Sequence, residues 1–345
     1  MKINNFYILL ILHFILTSCI VDVPIVISTK KADTPFIFKI LKDSRQIVLT
    51  QEYPWEAQAM LYFNVVKTDS IWHMWYNSYG ITEKIDYVGY FCHAYSNDGE
   101  HWSKNMSFKY DENDSTNIIL SRENIAIHDQ FVYYDDKDNI YRMIAAKNNG
   151  TGKQVTTNIL ESENGINWVD KKIIYNKYYD TQFSLIRKNN NHYVYQREWY
   201  NGLRVIGISV LDENFNIIES PKMVLMSNDK NFPHVYNNAA SMVNNTIIFF
   251  PTLYNKEKDT IKMTIGFEYN NEYFLTDSDI TDDLYYGEKI EWGIVSPGLI
   301  PTDEPNTYWM YYYGTNYSHE NVRNNADNIS KYYRIKINII SNNSD

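Results

Sequence analysis

Three acidic residues stand at matching places in a sequence that otherwise reads as strands. They are Glu56 in Pro54-Trp55-Glu56-Ala57-Gln58, Asp129 in His128-Asp129-Gln130-Phe131, and Asp180 in Asp180-Thr181-Gln182-Phe183. Each sits at the expected start of an inner strand, and the last two stretches are near copies. Acids are disfavoured within strands and costly to bury without partners, so three such placements call for a reason. The chemical reason is convergence on one sugar. Hydrolysis of a glycosidic bond needs one carboxylic acid to protonate the leaving oxygen and a second carboxylate as base or nucleophile. Their separation, about 5–5.5 Å or about 6.5–9.5 Å, decides retention or inversion. A third carboxylate raises the acid's pKa and orients it. The structural reason is that acids at strand ends accept bonds from loop amides.

Other polar and aromatic residues belong with the same strand starts. Arg197, in Tyr195-Gln196-Arg197-Glu198-Trp199, is placed to bind a sugar hydroxyl or carboxylate, to hold Asp180 ionised, or to pair with Glu198. His128, His234 and His319 are candidate hydrogen-bonding residues. Trp55, Trp199 and Tyr236 offer faces on which sugar rings stack. No two histidines have the helical spacing of a zinc site. There is no Ser-His-Asp elbow, phosphate-binding glycine loop or cofactor fingerprint. Neither metal nor cofactor is expected.

The elements that must carry these residues recur. Five second strands stand out: Ile71–Tyr76, Ile140–Ile144, His192–Arg197, Thr246–Phe250 and Thr307–Tyr312. Each follows a polar turn, and each is followed by a third strand. After the first and second third strands come Ser96-Asn97-Asp98-Gly99-Glu100-His101-Trp102 and Ser162-Glu163-Asn164-Gly165-Ile166-Asn167-Trp168, with Ser, Gly and Trp repeated 66 residues later. Asp-Gly and Asn-Gly supply the positive φ that a tight hairpin needs. Units of this length suit the four-stranded blades of a propeller. The fold class is therefore all-β, a five-bladed β-propeller of four-stranded antiparallel blades over residues 35–345. Strand material at Phe36–Thr50 would complete the last blade beside Tyr332–Ile340 and seal the ring. A tandem sandwich is the alternative, but it leaves more sheet edges exposed.

Bulk properties narrow the partners. The formal charge of −10 over 345 residues argues against nucleic acid or an anionic membrane surface, which both need a basic face. An oligosaccharide or polysaccharide fits better, and a monomer is expected. Residues 1–19 read as a lipoprotein signal: Met1-Lys2, an apolar run from Phe6 to Leu16 too short to span a bilayer, then Leu16-Thr17-Ser18-Cys19, which resembles a lipobox with Cys19 as the lipidated residue. An ordinary secretory signal is the other reading. Residues 20–34 would be a tether. The expected location is the cell envelope, with membrane contact only through the N-terminal lipid. Cys92 then stands alone in an apolar strand, as a buried small hydrophobe.

The paired Ser-x-x-Gly-x-x-Trp turns and the five strand pairs resemble the five-bladed β-propeller glycoside hydrolases, both arabinanase/xylosidase-like and invertase-like. The resemblance covers roughly residues 36 to 340. It implies that three acids from the inner strands of successive early blades form the catalytic set; by position these are Glu56, Asp129 and Asp180. The sequence departs from the family pattern in two ways. Glu stands first and Asp third, the reverse of the usual order, and His128-Asp129-Gln130 replaces the Arg-Asp-Pro signature. The implied function is a glycoside hydrolase acting on an extracellular or periplasmic glycan. The alternative is a propeller lipoprotein that binds glycans without cleaving them, or a scaffold whose funnel is filled.

Overall fold

Asparagine closes four two-residue hairpins. Both residues of Asn189-Asn190, Asn244-Asn245 and Asn270-Asn271 take positive φ, as does Asn201 before Gly202. These are the backbone demands of two-residue turns whose twist matches the strands they join, and Asn tolerates that region better than other non-glycine residues. The chain therefore makes many tight hairpins with only 13 glycines.

The computed structural model describes residues 35–341, except 70, 83–84, 112–113, 122–124, 126–129, 149–154, 323–324 and 326. The signal, Cys19 and the tether, together with His128 and Asp129, lie outside the described residues.

Five antiparallel sheets form a five-bladed β-propeller. From axis to rim, blade 1 is Ala59–Lys67, Trp72–Thr82, Ile85–Ser96 and Trp102–Lys104. Blade 2 is Phe131–Asp135, Ile140–Asn148, Val155–Ser162 and Val169–Tyr175. Blade 3 is Ser184–Lys188, Asn191–Tyr200, Leu203–Leu211 and Ile217–Leu225. Blade 4 is His234–Val243, Thr246–Asn255, Gly266–Tyr269 and Glu272–Leu275. Blade 5 is Trp292–Val295, Thr307–Thr315, Ser330–Ser341 and, outermost, Phe36–Thr50. The N-terminal strand pairs antiparallel with Ser330–Ser341, from Phe36 opposite Ser341 to Thr50 opposite Lys331. The ring is thus sealed by the first and last strands, as the sequence implies.

Two details depart from the sequence reading. The inner strands of blades 1 to 3 begin a few residues later than expected, so Glu56 and Asp180 lie in the segments that lead into them. Pro54–Glu56 is a 3-10 turn, favoured by proline at its first position. In blade 4 the third strand, expected to be continuous, is split into Thr260–Met263 and Gly266–Tyr269. The break lies opposite Pro251, which has no N–H to give its neighbour.

The repeated turn has a packing role. Gly99 and Gly165 share a φ of 72°. Tyr311 of blade 5 donates to the Gly99 carbonyl (2.9 Å), and Trp75 of blade 1 donates through Nε1 to the Gly165 carbonyl (2.7 Å). In both cases an aromatic from one blade's second strand binds the turn of the next blade. A Cβ on Gly165 would lie 2.6 Å from the Trp75 ring. Apolar clusters spanning neighbouring blades do the rest, with Phe63 of blade 1 stacked on Tyr332 of blade 5 at 4.1 Å. Burial of such rings supplies the main driving force.

Across the axis, Gln182 before blade 3 donates through Nε2 to the carbonyls of Phe63 (2.8 Å) and Gln130 (3.2 Å). Ser296 after the blade 5 inner strand donates to the same Phe63 oxygen (2.8 Å). Four blades meet at these bonds, which tie the inner strands together below the funnel mouth.

Candidate functional site

The mouth of the funnel is the end at which inner strands start and second strands finish. Strand alternation places there the lead-in segments and the loops between second and third strands. In blades 3, 4 and 5 these bring together a continuous polar and aromatic group. At its centre is Tyr236, near the start of the blade 4 inner strand. Its hydroxyl shares hydrogen bonds with the Tyr62 hydroxyl of blade 1 (3.1 Å) and with His319 Nε2 (2.7 Å) from the blade 5 loop. Trp292, on the blade 5 inner strand, packs its ring 4.6 Å from both Tyr236 and His319.

His319 Nδ1 faces Glu320 Oε1 at 3.3 Å. A carboxylate only accepts, so Nδ1 carries a proton, and in the neutral ring Nε2 accepts from Tyr236. A row of hydrogen bonds thus runs from buried Tyr62 to exposed Glu320. Burial, with Tyr236 next, pushes the Tyr62 phenol well above its ordinary pKa, so it remains a donor. Tyr254, on the blade 4 second strand, donates to Asp259 Oδ1 (2.9 Å) and approaches Glu320 Oε1 (3.4 Å). Its phenol is raised by burial and by these contacts.

Arg197 is the buried cation of the group, its side chain 1% exposed. Its guanidinium lies 4.4 Å from the Tyr236 ring centre and donates through Nη2 to the Tyr236 carbonyl (2.6 Å). Nη1 donates to the backbone carbonyl of Asp180 and lies 3.2 Å from its Oδ2. The Asp180 carboxylate itself is 54% exposed and accepts from the Tyr178 hydroxyl (2.8 Å). Arg197 therefore pairs with Asp180, while Glu198 pairs with Lys177 (3.0 Å). His234 accepts the Arg204 backbone N–H at Nδ1 (3.1 Å). Burial, then the positive charges of Arg204, Lys256 and Arg197, lower its pKa and favour the neutral ring. Trp199 is 57% exposed beside Arg204, whose guanidinium lies 5.3 Å from the indole.

Of the residues singled out in the sequence, the structure thus brings Asp180, Arg197, Tyr236, His319, His234 and Trp199 into this region. Glu56 and Trp55 are elsewhere. Glu56 is fully buried, and its carboxylate accepts four bonds: from the Tyr76 hydroxyl (2.6 Å), Lys104 Nζ (2.8 Å), and the backbone N–H groups of Glu52 (2.9 Å) and Tyr53 (3.2 Å). All these partners belong to blade 1 and the segment leading into it. Trp55 stacks on Tyr53 and donates to Asn117 Oδ1. Arg142 ties Asp135, Asp138 and Glu161 together at the turn end of blade 2, opposite the mouth.

Tyr62, Tyr254, Trp292, Asp259, Glu320 and Arg204 were not anticipated. Only Arg204 carried a readable signal. Asn201-Gly202 is a two-residue turn, and the register it imposes sets Trp199 directly opposite Arg204. The others reach the site through loops whose paths no local pattern fixes. Among the described residues, no group of three or more His, Cys, Asp or Glu could hold a metal ion.

This architecture is that of the five-bladed propellers found among glycoside hydrolases of the GH32, GH43, GH62 and GH130 families. A Bombyx mori GH32 β-fructofuranosidase superposes with a TM-score of 0.57 at 12% identity, over 85% of this chain; the chain spans only 63% of that enzyme's length. An α-L-arabinofuranosidase from Podospora anserina gives 0.55 at 6% identity, covering 84% of this chain and 94% of the other. A glycosyl hydrolase from Bacteroides ovatus gives 0.53 at 14% identity, covering 90% and 93%. At such identities the likeness shows the fold. No protein-family profile matches the sequence, and no curated protein is similar to it in sequence.

Proposed function

We propose that the protein is a glycoside hydrolase whose site is the funnel mouth at blades 3 to 5, with Asp180 as a catalytic carboxylate. The observation that carries this reading is the Asp180–Arg197 pair beside Tyr236. An exposed carboxylate is held by a buried guanidinium that packs on the buried Tyr236 ring, and Trp199, exposed in the same group, is the aromatic face open to a sugar ring. Asp129 is the second carboxylate in this scheme, on the strength of its near-copy sequence. Glu56, sealed in its cage, meets no substrate while the cage is closed; its part is to hold the start of blade 1. The substrate is an oligosaccharide or polysaccharide, in keeping with the glycosidases that share the fold.

A second reading, glycan binding without cleavage, is favoured by the Glu56 cage, which removes one of three expected acids from the funnel. Sugar release from a broad glycan panel by the full chain, compared with Asp180→Asn and Asp129→Asn, separates the two. Release by the wild type, lost in both variants, supports the hydrolase. Binding with no release by any form overturns it in favour of the second reading.

We further infer that residues 1–19 deliver the chain to the cell envelope and that Cys19 carries the lipid. The apolar run Phe6–Leu16 ahead of Leu16-Thr17-Ser18-Cys19 supports this. Metabolic labelling with a fatty acid, present in the wild type and lost in Cys19→Ser, is the expected result.

A further inference from the structure

Among the described residues, Arg204 is a cation without an anion. Two of its nitrogens, Nε and Nη1, are shut off from solvent and find no hydrogen-bond acceptor among those residues. Among the described residues no carboxylate lies within ion-pair distance of it, although Asp180, Asp259 and Glu320 all serve the same mouth through other partners. Its neighbours are rings: Tyr236 at 5.2 Å, Trp199 at 5.3 Å and Tyr254 at 5.6 Å from the guanidinium carbon. Aromatic faces offset part of the cost of stripping water from a guanidinium. They do not replace acceptors for its N–H groups, and a buried donor left unpaired is costly. Arg197, next to it over the same Tyr236 ring, also has a buried Nε without an acceptor. Two guanidinium groups over one ring, each with a buried spare donor and only Arg197 paired with a carboxylate, leave a local demand for negative charge in a chain whose net charge is −10.

We propose that Arg204 and Arg197 form an oxyanion-binding subsite, and that the glycan taken at this mouth carries a carboxylate there, as a uronic acid residue does. The proposal deepens the hydrolase reading and rests on it. A free anion such as phosphate offers the same chemistry to a guanidinium. The sugar-borne carboxylate is favoured by Trp199, whose exposed indole lies against Arg204. A pyranose ring stacking on that indole would carry its carboxylate to the guanidinium, a geometry that a free anion does not use. Charge-assisted bonds from arginine to carboxylate are the strong kind, and they form here away from bulk water.

The test measures binding of one uronic-acid-containing polysaccharide and of the same polysaccharide after its carboxyl groups are reduced to alcohols, by isothermal titration to the full chain, wild type, Arg204→Gln and Arg204→Lys. The wild type is expected to bind the acidic form at least tenfold more tightly than the reduced form. Arg204→Gln should bring that ratio to within about twofold of one, and Arg204→Lys should leave it in between, because a lysine keeps the charge but not the planar set of donors. Circular dichroism checks that both variants are folded. Equal binding of the two forms by the wild type overturns the subsite while leaving the glycosidase reading intact. So does a preference that survives Arg204→Gln. If neither polysaccharide binds, and inorganic phosphate raises the melting temperature of the wild type but not of Arg204→Gln, the sugar-borne carboxylate is overturned in favour of a free anion. Sugar release by the wild type from neutral glycans, measured separately, tells whether the hydrolase reading survives independently.

Discussion

Glu56 and Asp180 occupy equivalent places in two blades and live in opposite surroundings. Glu56 has every oxygen occupied and no exposed surface, inside a cage that also buries Lys104 to 3% side-chain exposure. Asp180 has one cation behind it, one phenol beside it and open solvent in front. The comparison separates what a carboxylate does when the chain folds around it from what it does when the chain merely aims it. Four donors make Glu56 part of the framework: its ion pair, two loop N–H groups and the Tyr76 hydroxyl fix the turn that leads into the first blade. A single guanidinium leaves Asp180 oriented and open to solvent.

The largest expected effect follows directly. Glu56→Gln keeps the shape but removes the buried one of the two carboxylates that pair with the Lys104 ammonium, leaving Glu52 at 3.2 Å and the Thr50 carbonyl at 2.9 Å, so the loss falls at or below the lower end of the about 3–5 kcal/mol that breaking a buried pair costs. Chemical denaturation should register a loss of that size, with any fall in activity tracking the folded fraction. If Glu56→Gln were as stable as the wild type and inactive, the comparison would be wrong and Glu56 would have to act in the funnel. Asp180→Asn should behave in the reverse manner. Sugar release drops by roughly 100-fold or more, the usual range for a removed general acid or base. Stability changes by no more than about 1 kcal/mol, because the pair is exposed on the carboxylate side, and Arg197 keeps its bonds to two backbone carbonyls. A kcat loss at unchanged melting temperature is the signature to look for.

How far this contrast was legible in the sequence depends on the range of the interactions involved. The five blades were readable because alternation, turn residues and the Ser-x-x-Gly-x-x-Trp repeat are local signals. The closing role of Phe36–Thr50 followed from needing one more strand beside the last. The difference between Glu56 and Asp180 was not readable. Lys104 comes from the outer strand of blade 1, and Tyr76 from its second strand, and nothing near Glu56 announces either. Strand starts also misled: alternation continues through Trp55-Glu56-Ala57, yet Pro54 turns the chain and ladder hydrogen bonding begins only at Ala59. Arg204 lay within reach of sequence reasoning, since the Asn201-Gly202 turn fixes its cross-strand partner, but a lone arginine in an apolar strand gives no hint that its donors end unpaired.

The framework side of the comparison is sharpened by the turn that locks blade 1 to blade 2. Gly165→Ala forces a side chain into the left-handed region and sets its Cβ against the Trp75 ring. The combined cost is about 1–3 kcal/mol. A thermal scan should show a lowered midpoint, with sugar release at low temperature close to that of the wild type, since the turn lies at the end of the blades opposite the mouth. Loss of activity in a fully folded Gly165→Ala protein would mean that the two ends of the propeller are coupled.

The smallest effect near neutral pH, and the one that grows on acidification, belongs to a histidine pair in the same sealed blade. His73 Nδ1 and His93 Nε2 share a hydrogen bond at 3.0 Å, packed around Trp75. Burial lowers the pKa of His73 to about 4; burial and then its neighbour lower that of His93 to about 3. Both rings are neutral when folded, whereas in the unfolded chain they take up protons near pH 6.5. The unfolded state therefore binds more protons throughout the interval from 6.5 down to these lowered values, and stability must fall as pH falls through it. The melting temperature should drop by several degrees between pH 6.5 and pH 4. In His73→Gln, which titrates no proton at that position, the slope should be shallower. An unchanged slope in the variant would show that other groups govern the acid limb, and that the sealed region of blade 1 is not where the fold first yields to protons.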